Sequence, residues 1–205
     1  MNIQLNFINN SNDVNNSEVV IFQKNVAMNF DELAVAWQVI KYCGQGDNHP
    51  FAFPTTMQVG ASDSYGNYTP QLDAQNGQMF QMALTTSGDR LVPAGSGTSS
   101  KEVQVLNNLG KGAINASIYK AGKLLAVKTS VAPQQKAVFE FKPTIWIGVA
   151  SQFVQGQVMN SAIISNINTE LSLLGIASAD IVMTGGGPGR SAAPFAFNFE
   201  NIVMA

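Results

Sequence analysis

The chain has 205 residues and a formal net charge of −2, from 11 basic and 13 acidic residues. Its 45% hydrophobic content excludes a disordered chain, and its sparse positive charge excludes a protein that binds nucleic acid through the phosphates. One cysteine and one histidine exclude a disulfide framework and a structural zinc site, whereas 20 Asn and 15 Gln supply neutral hydrogen-bonding groups.

The first segments predict an N-terminal hairpin with a long loop. Ile3, Leu5 and Phe7 alternate with polar residues, as in a strand with one buried face. Residues 9–17 are almost entirely Asn, Asp and Ser, which favour turns. Residues 18–24 are apolar again and predict the returning strand.

The next segment predicts one amphipathic helix over residues 30–43. Phe30, Leu33, Trp37 and Ile40 recur at steps of three and four residues, which is typical of one helical face. Asn29 followed three residues later by Glu32 resembles a capping box. We expect the helix to bury these apolar side chains against a sheet.

Short alternating segments separated by turn residues follow, and this spacing is typical of an antiparallel β-sandwich. Strands are predicted at 57–61, 78–85, 101–106, 113–120, 124–130, 137–141, 144–149 and around 195–199. Residues 161–183 fit either a helix or strands. Neither a low-complexity linker nor an internal repeat is visible, so the sequence predicts one mainly β domain over 1–205.

Catalytic motifs are weak. Cys43, Asp47 and His49 could form a thiol–imidazole–carboxylate triad, but they lie on one short loop, whereas such triads normally assemble from distant segments. The glycine-rich run 185–189 is followed by Arg190 where a phosphate-binding loop requires Lys. Oxygen-rich loops could bind calcium, but none has EF-hand spacing. We therefore predict no enzyme activity, no metal site and no cofactor.

Two loops suggest recognition of a neutral polar ligand, because amide, carboxylate and tyrosine groups bind hydroxyls and aromatic rings cover sugar faces. The loop that contains residues 63–68 is the better candidate because its tyrosines lie among polar residues. The candidate residues are Asp63, Tyr65, Asn67 and Tyr68, with Asp47 and Asn48 as a second patch. A carbohydrate-binding module is one alternative function, and a lipid-binding or pore-forming β protein is another.

The preferred hypothesis is a self-associating structural or interaction protein, with itself as its partner in a homo-oligomer or larger assembly. Low net charge gives little repulsion between copies, and Asn and Gln can pair across an interface. The candidate contact residues are Asn10, Asn12, Asn15, Asn16, Gly186, Gly187 and Arg190. With neither a signal-peptide pattern nor an apolar run of bilayer length, a cytoplasmic location without a transmembrane segment is expected, and unconventional release stays open.

Overall fold

The computed structural model describes residues 2–27, 34–167, 169–189 and 192–205. These residues form sixteen β-strands in four four-stranded sheets and one short helix, so the predicted mainly β class is confirmed. The elements are β1 Asn2–Asn9, β2 Glu18–Phe22, β3 Gln38–Ile40, β4 Asn48–Pro54, β5 Met57–Asp63, β6 Leu72–Ala74, β7 Gln78–Thr85, β8 Gly88–Ser96, β9 Val103–Asn107, β10 Ile114–Lys120, β11 Lys123–Val131, β12 Lys136–Phe139, β13 Thr144–Ala150, α1 Ser161–Asn166, β14 Thr169–Ser172, β15 Ile176–Gly186 and β16 Ala193–Met204.

The chain divides into two compact units, and each contains two of the sheets. Unit 1 comprises Met1–Gln23, Val35–Thr55 and Pro143–Ala205, and unit 2 comprises Lys24–Ala34 and Thr56–Lys142. The strand orders are β16-β15-β1-β4 and β14-β13-β2-β3 in unit 1, and β11-β10-β5-β6 and β12-β9-β7-β8 in unit 2. Among the described residues, no helix has the length and apolarity needed to cross a bilayer.

The predicted helix over residues 30–43 is wrong. Gln38–Ile40 is the strand β3, and Ala34 and Val35 form isolated β-bridges. Phe30 and Leu33 lie outside the described residues. The physical reason for the error is that residues 34–38 are all buried, so this extended segment is covered on both sides. A continuous buried run contains apolar residues at helical spacing by coincidence.

The predicted N-terminal hairpin is also wrong, although both of its strands exist. β1 pairs with β15 and β4, whereas β2 pairs with β13 and β3 in a different sheet. The loop 10–17 therefore crosses from one sheet to the other. A sequence pattern shows that a strand has a buried face, but it does not identify the strand beside it.

Trp37, which immediately precedes β3, links the two sheets of unit 1. Its side chain is 1% exposed, and its ring lies edge-on to Phe53 of β4 in the other sheet, at a centroid distance of 5.1 Å. Phe51 of β4 lies 6.3 Å from the same ring. Burial of Trp37 and Ile40, expected from the sequence, is confirmed, but extended backbone provides it instead of a helix.

The strand pairings contain a repeat that is not apparent in the sequence. If the strands of unit 1 are read in the order β13–β16 and then β1–β4, every pairing matches that of β5–β12 in unit 2. The match includes the parallel pairs β1–β15 and β9–β7 and the hairpins β15–β16 and β7–β8. The chain therefore consists of two repeats, β1–β8 and β9–β16, and each unit combines one half of each repeat.

Corresponding positions show the same local structure. Asn9 ends β1 and Asn107 ends β9; each is buried, and each side-chain oxygen accepts the N–H two residues later. Their amide groups donate to the carbonyls of Cys43 and Val131, at 2.7 and 2.8 Å. Tyr42 and Ser130 directly precede Cys43 and Val131, and they have positive φ values of 56° and 57°. Agreement at this level supports a duplication.

Candidate functional site

A cleft of about 540 Å³ lies in unit 2, between the β5–β6 connection and the β7–β8 turn. Its volume falls within the range of small-molecule sites. Three of the four residues predicted in the first ligand patch, Asp63, Asn67 and Tyr68, line it. The remaining lining residues are Thr69, Pro70, Leu72, Met82, Ser87, Gly88, Asp89, Arg90 and Leu91.

One wall is a loop organised by Asp63, the last residue of β5. One carboxylate oxygen accepts the backbone N–H groups of Tyr65 and Asn67, at 2.8 and 2.9 Å. The other accepts the side-chain amide of Asn67 at 2.7 Å. Gly66 has φ +87°, which the tight reversal requires and which other residues rarely adopt. The loop geometry is therefore fixed by side chains within the loop itself.

These hydrogen bonds change the acidity of Asp63. The bond from the Asn67 side chain has the largest effect and, with bonds from the backbone, holds the pKa of Asp63 below its ordinary value of 3.8, against a smaller opposing effect of desolvation. The carboxylate form is therefore the form that orders the loop. Three donors already occupy Asp63, so its part in the cleft is chiefly to position its neighbours.

The cleft combines an apolar floor with polar walls and an exposed aromatic ring. Met82 and Leu91 are buried partners across the β7–β8 hairpin. Asp89 and Arg90 are exposed on the wall opposite the Asp63 loop. Tyr68 is 77% exposed and lines the cleft, and Tyr65 in the same loop is 89% exposed. Such a surface can contact both the apolar faces and the hydroxyl groups of a polar ligand.

The second predicted ligand patch lies in unit 1 and separates into two roles. Asp47 accepts the backbone N–H of Gly44 at 3.0 Å and so stabilises its own turn. Asn48 instead begins a row of polar side chains that crosses all four strands of its sheet. It donates to Asn6 at 3.1 Å, Asn6 donates to Asp180 at 3.1 Å, and Asn201 donates to Asp180 at 2.7 Å. A shallow depression of about 210 Å³ adjoins this row.

The two predicted contact loops lie together in unit 1. Asn10 N–H donates to Met183 O at 2.9 Å, and Asn12 N–H donates to Gly185 O at 2.7 Å. Asn15 and Asn16 are exposed, whereas Gly186 and Gly187 are half-buried. Arg190 lies outside the described residues. The geometry thus joins loops that are far apart in the sequence.

The environment of Cys43 opposes reactivity. Desolvation, followed by the nearby negative charge of Asp47, raises the pKa of the Cys43 thiol. A nucleophilic cysteine needs the opposite shift, since the thiolate is the reactive form. Within the described ranges, no group of three or more His, Cys, Asp or Glu side chains is placed to hold a metal ion.

Sequence reasoning missed one wall of the cleft and most of the polar row. These residues are Asp89 and Arg90 of the cleft and Asn6, Asp180 and Asn201 of the polar row. Each becomes part of a surface through pairing between distant strands. No signal in a single sequence reports such pairing.

Comparison with known proteins gives one match. No curated protein and no solved structure is significantly similar to the chain. The RhiA family model matches residues 1–174, a range that ends before β15. Since this match covers most of the 205 residues, the chain belongs to the RhiA family.

Proposed function

We propose that this protein is a non-enzymatic binding protein that recognises a carbohydrate at the cleft of unit 2. The observation that carries the proposal is the cleft itself, where an ordered polar loop with exposed tyrosines faces a second polar turn over an apolar floor. Its charged side chains include acids and one arginine, so the site favours a ligand without a large net charge. Carbohydrates offer the required combination of hydroxyl groups and apolar ring faces.

A glycan array tests this function, with and without calcium. We expect a restricted set of neutral glycans to bind, and Tyr68→Ala to weaken binding by at least about tenfold, the loss of one stacked ring. Tyr42→Ala is the matched control, because Tyr42 is 81% exposed but lies in unit 1. Absence of binding to every glycan, or equal effects of the two substitutions, would refute the proposal.

The pH dependence gives a second test. Because the pKa of Asp63 is lowered in the folded loop, its contribution to loop order is present above the unfolded pKa and is lost as pH falls through the lower folded pKa. We expect glycan binding to persist at the ordinary aspartate pKa and to decline only as the pH falls below it, and Asp63→Asn to weaken binding already at neutral pH. Binding by Asp63→Asn with wild-type affinity would show that the carboxylate does not order the site.

Self-association is a second candidate, favoured by the edge strand β16. Among the described strands, β16 pairs only with β15, and Ile202, Val203 and Met204 near its end are all about half exposed or more. The corresponding strand β8 is shorter and carries Asp89 and Arg90, whereas residues 201–204 at the end of β16 are uncharged; charges protect an edge from pairing. Light scattering of wild type and Val203→Lys tests self-association. We expect wild type to form an oligomer and the added charge in Val203→Lys to dissociate it. A monomeric wild type at high micromolar concentration would exclude self-association through β16.

A further inference from the structure

We propose that the two halves of unit 1, β1–β4 and β13–β16, can be supplied by different copies of the chain, so that copies associate by exchanging the β13–β16 half. The proposal is independent of ligand binding at the cleft and provides a route to self-association that differs from edge pairing. Its basis is the repeat: in both units a complete set of two sheets forms when half of one repeat joins half of the other.

The connectivity identifies β13–β16 as the half that can exchange between copies of the chain. The chain passes between the units at 23–24, 34–35, 55–56 and 142–143. All of β13–β16 follows the last of these points and is thus joined to the rest by one covalent connection. The connection is the short segment 140–143, which ends in a proline. Exchange of a terminal element across a short hinge is a low-cost route to association.

The two halves of unit 1 meet along a seam of two strand pairs, one in each sheet. β1 aligns in parallel with β15 over six residue pairs, from Gln4 with Ser178 to Asn9 with Met183. β2 pairs with β13 in the other sheet. In the first seam Phe7 faces Ile181, and both side chains are fully buried. A separated half would expose this apolar surface and its strand edges, so it must find a complementary half in its own chain or in another copy.

Complementation between two full-length variants tests the proposal. Phe7→Asp damages only the β1–β4 half, and Ile181→Asp damages only the β13–β16 half. When the two variants are unfolded in urea, mixed and refolded, the intact halves can form one sound unit 1 between chains. We expect a 1:1 heterodimer of about twice 21.8 kDa, isolated through two different tags. Its tryptophan fluorescence, which comes from Trp37 and Trp146 of unit 1, should be blue-shifted relative to either variant refolded alone.

The control pairs Phe7→Asp with Leu5→Asp, which damage the same half and cannot complement each other. Leu5 is 2% exposed, so the two lesions are comparable. Edge pairing through β16 would associate both mixtures equally, whereas exchange associates only the complementary mixture. Equal association in the two mixtures, or none in either, would overturn the proposal.

A second experiment leaves the core intact. Gln4→Cys and Ser178→Cys are placed in separate chains that also carry Cys43→Ser, and the chains are refolded together and oxidised. Because these two positions are aligned neighbours across the seam, exchange should yield a disulfide-linked dimer containing one of each chain. The hinge and the cleft are untouched by these changes. Covalent dimers no more abundant than those of each cysteine variant refolded alone would count against exchange.

Discussion

Lys120 offers a quantitative test of the structure of unit 2. It ends β10 and is only 6% exposed, and burial lowers its pKa from the usual 10.5 to about 8. The charged form is therefore disfavoured in the folded state. Below about pH 8 the lysine is charged in both states and the folded protein carries the cost of burying it. That cost is relieved as pH rises from about 8 towards 10.5, so stability should increase over this window.

The size of the effect follows from the two pKa values. At about 1.36 kcal/mol per pKa unit, burial of the charge costs roughly 3–4 kcal/mol at neutral pH, of which about 2–3 kcal/mol is recovered by pH 10. The repeat suggests which residue should replace Lys120. β2 corresponds to β10, and Phe22 in β2 corresponds to Tyr119 in β10. The next residue in each case is Gln23 or Lys120, so glutamine stands at the corresponding position of unit 1. Lys120→Gln should remove this pH dependence because its side chain stays neutral.

Urea unfolding at pH 7, 8, 9 and 10 measures the effect. We expect the difference in unfolding free energy between wild type and Lys120→Gln to shift by about 2–3 kcal/mol in favour of wild type over this range. Lys111→Gln is the control, because Lys111 is exposed and the substitution leaves the buried charge in place. Parallel pH profiles for wild type and Lys120→Gln would refute the claim that Lys120 is buried with its charge.

Three further predictions concern unit 1. Trp37→Ala removes a ring that is 1% exposed and should destabilise the protein by about 3–5 kcal/mol, measured by urea unfolding. A Cβ at Gly148 would lie 2.8 Å from Cγ2 of Ile167, so Gly148→Ala should lower the free energy of unfolding by about 1–3 kcal/mol. Adding Ile167→Ala to the same chain should restore part of this free energy. If it restores none, the stated contact is contradicted. Cys43 should react slowly with iodoacetamide until the protein is unfolded, and Asp47→Asn should accelerate the native reaction by lowering the thiol pKa.

The sequence was most informative where the physical signal is local. Alternating segments separated by turn residues predicted strands at 113–120 and 124–130, and these are confirmed as β10 and β11, which form a hairpin. The ambiguous stretch 161–183 contains both a short helix and strands. Helical spacing failed at Trp37 and Ile40, because their burial depends on sheets formed by distant segments. The spacing of apolar residues in this segment indicates burial, but it does not distinguish a helix from an extended strand.

The partners of each strand could not be predicted in the same way. β1 lies beside β15, which is more than 160 residues later in the chain. The repeat is not apparent in the sequence for a related reason: its two copies share burial and hydrogen-bonding positions, such as those of Asn9 and Asn107, while most side chains between them differ. Asp63, Asn67 and Tyr68 could be grouped from the sequence because they lie within six residues on one loop, which short-range hydrogen bonds hold.

The repeat also shows where the two units differ beside the cleft. The loop that forms one wall of the cleft connects β5 to β6 over residues 64–71. The corresponding connection in unit 1, from β13 to β14, spans 151–168 and contains α1, which begins after the cap Asn160. Surface connections tolerate such changes in length because they add little loop-closure cost and leave the strand pairing intact. The two units therefore keep one topology while their loops differ, and the cleft of unit 2 lies beside one of the loops that differ.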